Sequence, residues 1–198
     1  MTDFVHLHNH SEFSLLDGLQ KVKQMVQYVK DQGMHSIAIT DHGNMYGALK
    51  FYKACREIGI KPIIGAEMYL TKKSRFDRES KEDASYNHII LLAKNFEGYK
   101  NLMKLVSKSH LEGFYYKPRI DLELLDKHHD GRIALSACLN GYFSEDILKG
   151  RTEEAERKAL EMVGIFGDDY YLELQSHYKI PDQAILNTGL VELSKKLG

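Results

Sequence analysis

Cysteine is scarce in this chain: Cys55 and Cys138 are the only two in 198 residues. No basic segment followed by an apolar stretch opens the sequence, so no secretory leader is read, and the two cysteines are expected to be reduced thiols of a cytoplasmic protein rather than a disulfide framework. Long hydrophobic runs are also missing. None approaches the length of a membrane span, so no membrane partner is expected. Neither sign of charge dominates: 27 Lys and Arg stand against 28 Asp and Glu, for a net charge of -1. That balance excludes a broad nucleic-acid-coating surface but leaves room for a local basic groove. Phosphate-cradling patterns of the Gly-x-Gly-x-x-Gly and Gly-x-x-x-x-Gly-Lys-Ser/Thr types are absent, and no Ser–His–Asp grouping takes their place. Tryptophan does not occur at all.

Histidine, by contrast, is plentiful, with ten residues. Three lie in Val5-His6-Leu7-His8-Asn9-His10-Ser11. On a β-strand, alternating residues share a face, so this run aligns three imidazoles. Taken alone, it fits a surface strand or a tag remnant as well as a metal site, for which neutral imidazole is the commonest ligand.

The hydrophobic content of 43% is that of an ordinary globular domain. Apolar runs predict strands at residues 4–10, 36–40, 61–70, 88–93, 132–138 and 170–175. Helical periodicity predicts helices at 19–32, 45–58, 96–111, 152–166 and 182–197. Gly33 and Gly59 serve as C-terminal stops for the first two helices. Alternation of this kind indicates parallel βα units, arranged as an open doubly wound sheet or as a (β/α) barrel. Residues 71–85 carry mixed charge without periodicity and read as a solvated loop.

Active sites of parallel α/β folds collect at the C-terminal ends of strands. Several predicted ends carry metal-type ligands: His8 and His10, Asp41-His42, Glu67, and Cys138, with Asp17 on the loop after the first strand. His88 opens its strand and does not follow the rule. Each residue has a structural alternative. His42 is placed to cap a helix, Asp17-Gly18 to make a turn, Glu67 to form an ion pair, and Cys138 to act as a small buried hydrophobe. Together, imidazole, carboxylate and thiolate suit Zn²⁺, with Mn²⁺ or Fe²⁺ as competitors. The candidates exceed the four ligands of one tetrahedral zinc, so more than one ion is expected, with Glu67 as the natural bridge. Clustered cations suit phosphate ester hydrolysis because they acidify water and neutralise charge on the attacking and leaving oxygens.

His8-Asn9-His10-Ser11-x-x-Ser14, Asp17-Gly18, Thr40-Asp41-His42-Gly43, Gly65-Ala66-Glu67 and Ser136-x-Cys138 resemble the polymerase-and-histidinol-phosphatase (PHP) superfamily. Phe13-Ser14-Leu15-Leu16-Asp17-Gly18, Met45-Tyr46-Gly47-Ala48, Leu91-Leu92-Ala93-Lys94-Asn95 and Leu111-Glu112-Gly113-Phe114-Tyr115-Tyr116-Lys117-Pro118-Arg119-Ile120-Asp121 narrow the resemblance to the PHP domains at the N-terminus of bacterial DNA polymerase III alpha subunits. The resemblance implies a single domain over residues 1–198 with a distorted (β/α)7 TIM-like barrel. It also implies a multinuclear metal site held by His8, His10, Asp17, His42, Glu67, His88 and Cys138. His6 and Asp41 then fall behind the ligands, and Lys117 and Arg119 are candidates for holding phosphate oxygens, or else a solvated turn around Pro118.

The Asp-x-His motif that ends a late strand in this family is missing. The expectation is therefore an N-terminal fragment of a longer polymerase subunit, cut before the last ligand-bearing strand. The implied activity is 3′–5′ exonuclease trimming of a DNA primer end, with the remainder of the subunit as partner. Two alternatives stand beside it: a non-catalytic scaffold that docks a separate proofreading exonuclease, and a free-standing phosphatase of the histidinol phosphate type.

Overall fold

The structure, a computed structural model, describes residues 4–15 and 17–197; Leu16 and Gly198, which belong to segments discussed above, lie outside the described residues. The strand β1 (Ser36–Ile39) pairs in parallel with the first half of β2 (Lys61–Thr71), Ile39 lying opposite Ile64. Farther along, β2 takes two other partners. On one side it pairs with β3 (Tyr86–Ala93), antiparallel, with Glu67 opposite Ile90, and on the other with β5 (Lys117–Ile120), parallel, with Tyr69 opposite Arg119. The strand β6 (Arg132–Leu135) is antiparallel to β3, and β7 (Tyr170–Tyr171) runs parallel to β6. A short hairpin joins β4 (Phe114–Tyr115) to β5.

β3 thus runs against both of its neighbours, where uniformly parallel units were expected. The cause is the connection before it. Residues 72–85 hold only the 3₁₀ turn Glu82–Ala84, with no helix to carry the chain back across the sheet for a parallel return. Nor is this segment simply solvated. Arg75 and Asp83 are buried, and Arg75 donates from Nη1 to Asp121 Oδ1 at 2.9 Å and from Nε to Glu112 Oε2 at 2.9 Å.

The helices follow the sequence pattern closely. In α1 (Val22–Asp31) the buried face is Val22, Met25, Val26 and Val29, whereas Leu19 lies outside the helix, 92% exposed. Gly59 takes φ 75° and ends α2 (Ala48–Ile58). α3 (Phe96–Leu111) starts at Asn95, whose side chain accepts the Gly98 N–H, satisfying an otherwise orphaned donor. Its Leu102 and Leu105 pack on Met68, Leu70, Ile89 and Leu91 of the sheet to form the largest core cluster. Two short helices, α4 (Leu122–Lys127) and α5 (Ser144–Leu148), precede α6 (Thr152–Phe166) and α7 (Pro181–Leu197).

The sheet does not close among the described residues. The opening segment, expected as a full strand, makes only one parallel bridge, His6 to Ile37, supported by N–H bonds from Ala38 to His6 O and from Thr40 to Asn9 O. Beyond β7 the chain leaves the ladder. Between residues 4–8 and 171–177 lies a cavity of about 1080 Å³ whose floor includes Ile63, Leu92 and Leu135. No described helix is long and apolar enough to cross a membrane.

Candidate metal centre

Glu67 points from the middle of β2 into a ring of imidazoles. Its Oε2 lies 3.0 Å from His10 Nε2, 3.1 Å from His8 Nε2 and 3.3 Å from His42 Nδ1, while Oε1 meets His88 Nδ1. His8 and His10 arrive from the opening segment with their Nε2 atoms 3.1 Å apart, and the His10 and His42 rings stack at 4.1 Å. Asp17 Oδ2 sits 2.7 Å from His42 Nε2, and Cys138 Sγ 3.6 Å from His88 Nδ1. All seven expected ligand residues therefore meet in one connected cluster.

Backbone geometry builds this cluster locally. His42 bridges Glu67 in parallel, with the Gly43 N–H donating to Glu67 O at 2.7 Å and the Glu67 N–H donating to Asp41 O at 3.1 Å. Gly43 has φ 61°, and a Cβ there would fall 2.7 Å from Pro118 Cγ and 2.9 Å from Tyr69 Cε2, so only glycine fits. Ala137, at φ 62°, accepts a conformation that costs about 1–2 kcal/mol for a non-glycine residue and precedes Cys138 in the turn after β6. Antiparallel β3 explains His88: the beginning of that strand lies at the same level as the parallel neighbours' ends.

Asp41 is buried and organises the polar groups behind the ligands. It accepts from the Ser11 N–H at 2.6 Å, Ser11 Oγ at 2.8 Å and Ser14 Oγ at 2.8 Å. Ser14 Oγ in turn lies 3.4 Å from His10 Nδ1 and accepts the His42 N–H at 3.1 Å. His6 is different: it is exposed, packs edge-on against Phe4 at 4.9 Å, and makes no hydrogen bond to the cluster among the described residues. Because the opening segment is not a regular strand, the three-histidine alignment breaks at this residue.

Arg119 also departs from expectation. It is 0% exposed and donates to the carbonyls of Gly113 at 3.0 Å, Arg75 at 3.0 Å, Asp77 at 2.9 Å and Asp83. It pins residues 75–83 to the hairpin and has no free face for a phosphate. Lys117 lies nearer the centre, with Nζ 5.3 Å from the Tyr69 ring, which stacks on His42 at 6.1 Å. One participant was not foreseen. Glu173 Oε1 lies 2.7 Å from His8 Nδ1. Its place at the end of the predicted strand 170–175 was the available signal.

The electrostatics are those of imidazoles gathered around one shared carboxylate. Burial disfavours the Glu67 carboxylate, yet the His10, His8 and His88 hydrogen bonds outweigh it and hold the acid far below the usual carboxylate range. Burial likewise disfavours charge on His8, but Glu173 and Glu67 push its pKa up to about 10. His88 rises to about 9 against burial, through Cys138 and Glu67. His42 is lowered, chiefly by burial. Packed this closely, the ring nitrogens and carboxylate oxygens need positive charge between them, which either ring protons or a metal ion supplies. His42 Nδ1 is buried without a hydrogen bond, and an orphaned atom of this kind fits a metal. The ligand atoms form two compact groups, His8–His10–Glu67 and His42–Glu67–His88, which share the carboxylate.

Fold and cluster together define a mixed α/β domain with a histidine–carboxylate cluster able to hold metal at one end of its sheet. The chain belongs to the PHP domain family, whose profile matches residues 6–177. It is 51% identical over 197 residues to the DNA polymerase III subunit alpha of Borreliella burgdorferi, 49% over 200 residues to that of Aquifex aeolicus and 46% over 199 residues to that of Thermus aquaticus. Each alignment covers 98% of this chain but only 16–17% of the relative, so the chain spans about a sixth of their length. A solved structure from Bifidobacterium adolescentis, described as a metal-dependent phosphoesterase, matches 99% of this chain and 84% of its own, with TM-score 0.59 and 12% identity. That likeness supports the PHP-type fold.

Proposed function

We propose that this domain is a metal-dependent phosphodiester hydrolase, a 3′–5′ exonuclease acting on the DNA primer end within a bacterial DNA polymerase III alpha subunit. The observation that carries the reading is Glu67, a single buried carboxylate shared by two groups of imidazoles. His8, His10, Asp17, His42, Glu67, His88 and Cys138 would hold the ions. Imidazole with a thiolate favours Zn²⁺, Mn²⁺ and Fe²⁺ being the competitors, and the shared carboxylate favours more than one ion. Bound divalent cations supply Lewis acidity toward phosphoryl oxygens and acidify water near neutral pH.

The chain's own residues do the rest. Asp41, through Ser14, orients His10 and the His42 backbone. Lys117, beside Tyr69 at the edge of the cluster, is placed to hold a phosphate oxygen of the DNA. Replicative relatives supply the polymerase context, with the remainder of the subunit as partner and the cytoplasm as location.

The test is degradation of a mismatched primer by the full-length subunit, stripped with chelator and then reloaded with Zn²⁺ or Mn²⁺. Activity should disappear on stripping, return on reloading, and fall on the order of 100-fold with His8→Ala. The second reading is a scaffold that docks a separate proofreading exonuclease. Metal binding without nuclease activity in the full-length subunit would decide for the scaffold.

A further inference from the structure

We propose that Glu173 is a positioning residue for His8: its carboxylate holds the His8 Nδ1–H, so that Nε2 presents its lone pair to the space beside Glu67 and His10. The proposal rests on the metal-binding reading above. A neutral imidazole has one donor nitrogen and one acceptor nitrogen, and the partner of one fixes the role of the other. Each nitrogen of His8 faces a carboxylate. Nδ1 is 2.7 Å from Glu173 Oε1, a charge-assisted distance, and Nε2 is 3.1 Å from Glu67 Oε2. Glu67 already lies among the other cluster imidazoles, so Glu173 is the carboxylate left to select the tautomer. Carboxylate–histidine–metal arrangements of this type fix ring orientation and raise ligand basicity.

Glu173 is itself held in place. Its N–H donates to Ser136 Oγ at 2.8 Å, and Gln175 Nε2 donates to its Oε1 at 2.7 Å. Gln175 Nε2 also lies 3.2 Å from His8 Nδ1. Both are donors in this tautomer, so that approach is proximity and not a second bond. Asn187 of α7 donates to Gln175 O at 2.7 Å and ties the segment to the helix layer. The interaction also crosses the open seam of the sheet. No backbone hydrogen bond joins residues 4–10 to residues 171–177 among the described residues, so the His8–Glu173 contact links the two sides.

The experiment compares the wild-type chain with Glu173→Gln and Glu173→Ala by Zn²⁺ competition against a chromophoric chelator. In parallel, ¹⁵N–¹H correlation of the imidazoles reads the His8 tautomer in the Zn²⁺-loaded protein and the solvent exchange of the His8 Nδ1 proton in the metal-free protein. Affinity should fall about 10–100-fold in Glu173→Ala and less in Glu173→Gln, which keeps a carbonyl acceptor. The His8 Nδ1 proton should be held against exchange in wild type and exchange faster in both variants. Circular dichroism melting of the metal-free variants identifies any that fail to fold; Glu173→Gln, close to isosteric, then carries the test. Unchanged affinity together with unchanged Nδ1 proton exchange would overturn the proposal. A wild type that binds no Zn²⁺ but shows the Nδ1 proton exchanging faster in Glu173→Gln would overturn the metal reading and leave the positioning role standing.

Discussion

Glu67→Gln is the sharpest perturbation of the proposed metal centre, because Glu67 is the side chain common to both candidate ligand groups among the described residues. The substitution keeps the shape and removes the charge. In the wild type, a ligand that binds only the folded state at 100 times its Kd stabilises by about 2.7 kcal/mol. For a domain of this size, 1 kcal/mol moves Tm by roughly 2–4 °C, so Zn²⁺ should raise the wild-type Tm by about 5–10 °C. In Glu67→Gln that rise should vanish, since one change removes the shared ligand from both groups. The metal-free variant should also be weaker. Glu67 is 1% exposed between His8, His10, His42 and His88. Removing one partner of a buried charged pair costs about 3–5 kcal/mol, the lower figure applying here because imidazoles can release their protons. The assay is thermal melting by circular dichroism, on chelator-treated protein with and without Zn²⁺ of known free concentration. A Zn²⁺-induced rise as large in Glu67→Gln as in wild type would refute the reasoning, because the cation would then be bound elsewhere.

Arg119→Met should destabilise the fold by about 3–5 kcal/mol in urea unfolding, since the carbonyls of Gly113, Arg75, Asp77 and Asp83 lose a charged donor. It should also speed hydrogen exchange over residues 75–83, whereas a variant of unchanged stability but weakened DNA binding would show that Arg119 serves substrate. The thiols should differ. Cys55 is fully buried and burial pushes its pKa up to about 12, so alkylation at pH 8 should spare it in the native chain. Cys138, half-buried beside His88, should react and be protected by Zn²⁺; labelling of Cys138 that ignores Zn²⁺ would remove it from the ligand set.

Much of the fold was legible because its cues are local. The bounds of α3 and α6 coincide with the periodic segments, and the C-terminal end of α2 with the left-handed Gly59, although α2 begins at Ala48, three residues later than expected. Strand direction is another matter, since a period of two is the same in either direction. The β3 reversal comes from a connection without a crossover helix, and an apolar run does not display that. The β4–β5 hairpin was missed for a different reason. It turns at Tyr116 with φ 59°, a position where glycine or asparagine would have given the usual signal. Arg119 reads in sequence as a cation beside a proline turn; only the carbonyls converging on it from residues 75–83 and 113 show that its donors are spent inside the fold.

The candidate metal centre follows the strand-end rule once ends are judged by level in the sheet and not by position within each strand. Glu67 lies mid-strand in β2, yet β2 exchanges its partner there: pairing with β1 stops at Ile64, and the chain leaving β1 bridges back through His42 to Glu67. At that level the antiparallel register sets His88 opposite Tyr69, so the beginning of β3 joins the ends of its neighbours. Cys138 leaves β6 on the same side. β7 runs parallel to β6 and is followed by Glu173, whose carboxylate reaches His8 across the seam. The same rule therefore places a mid-strand glutamate, a strand-opening histidine and an unforeseen second carboxylate in one layer. It also gives the reason that His6 falls outside: it pairs with Ile37, within the β1 ladder and below the level at which the ligands converge.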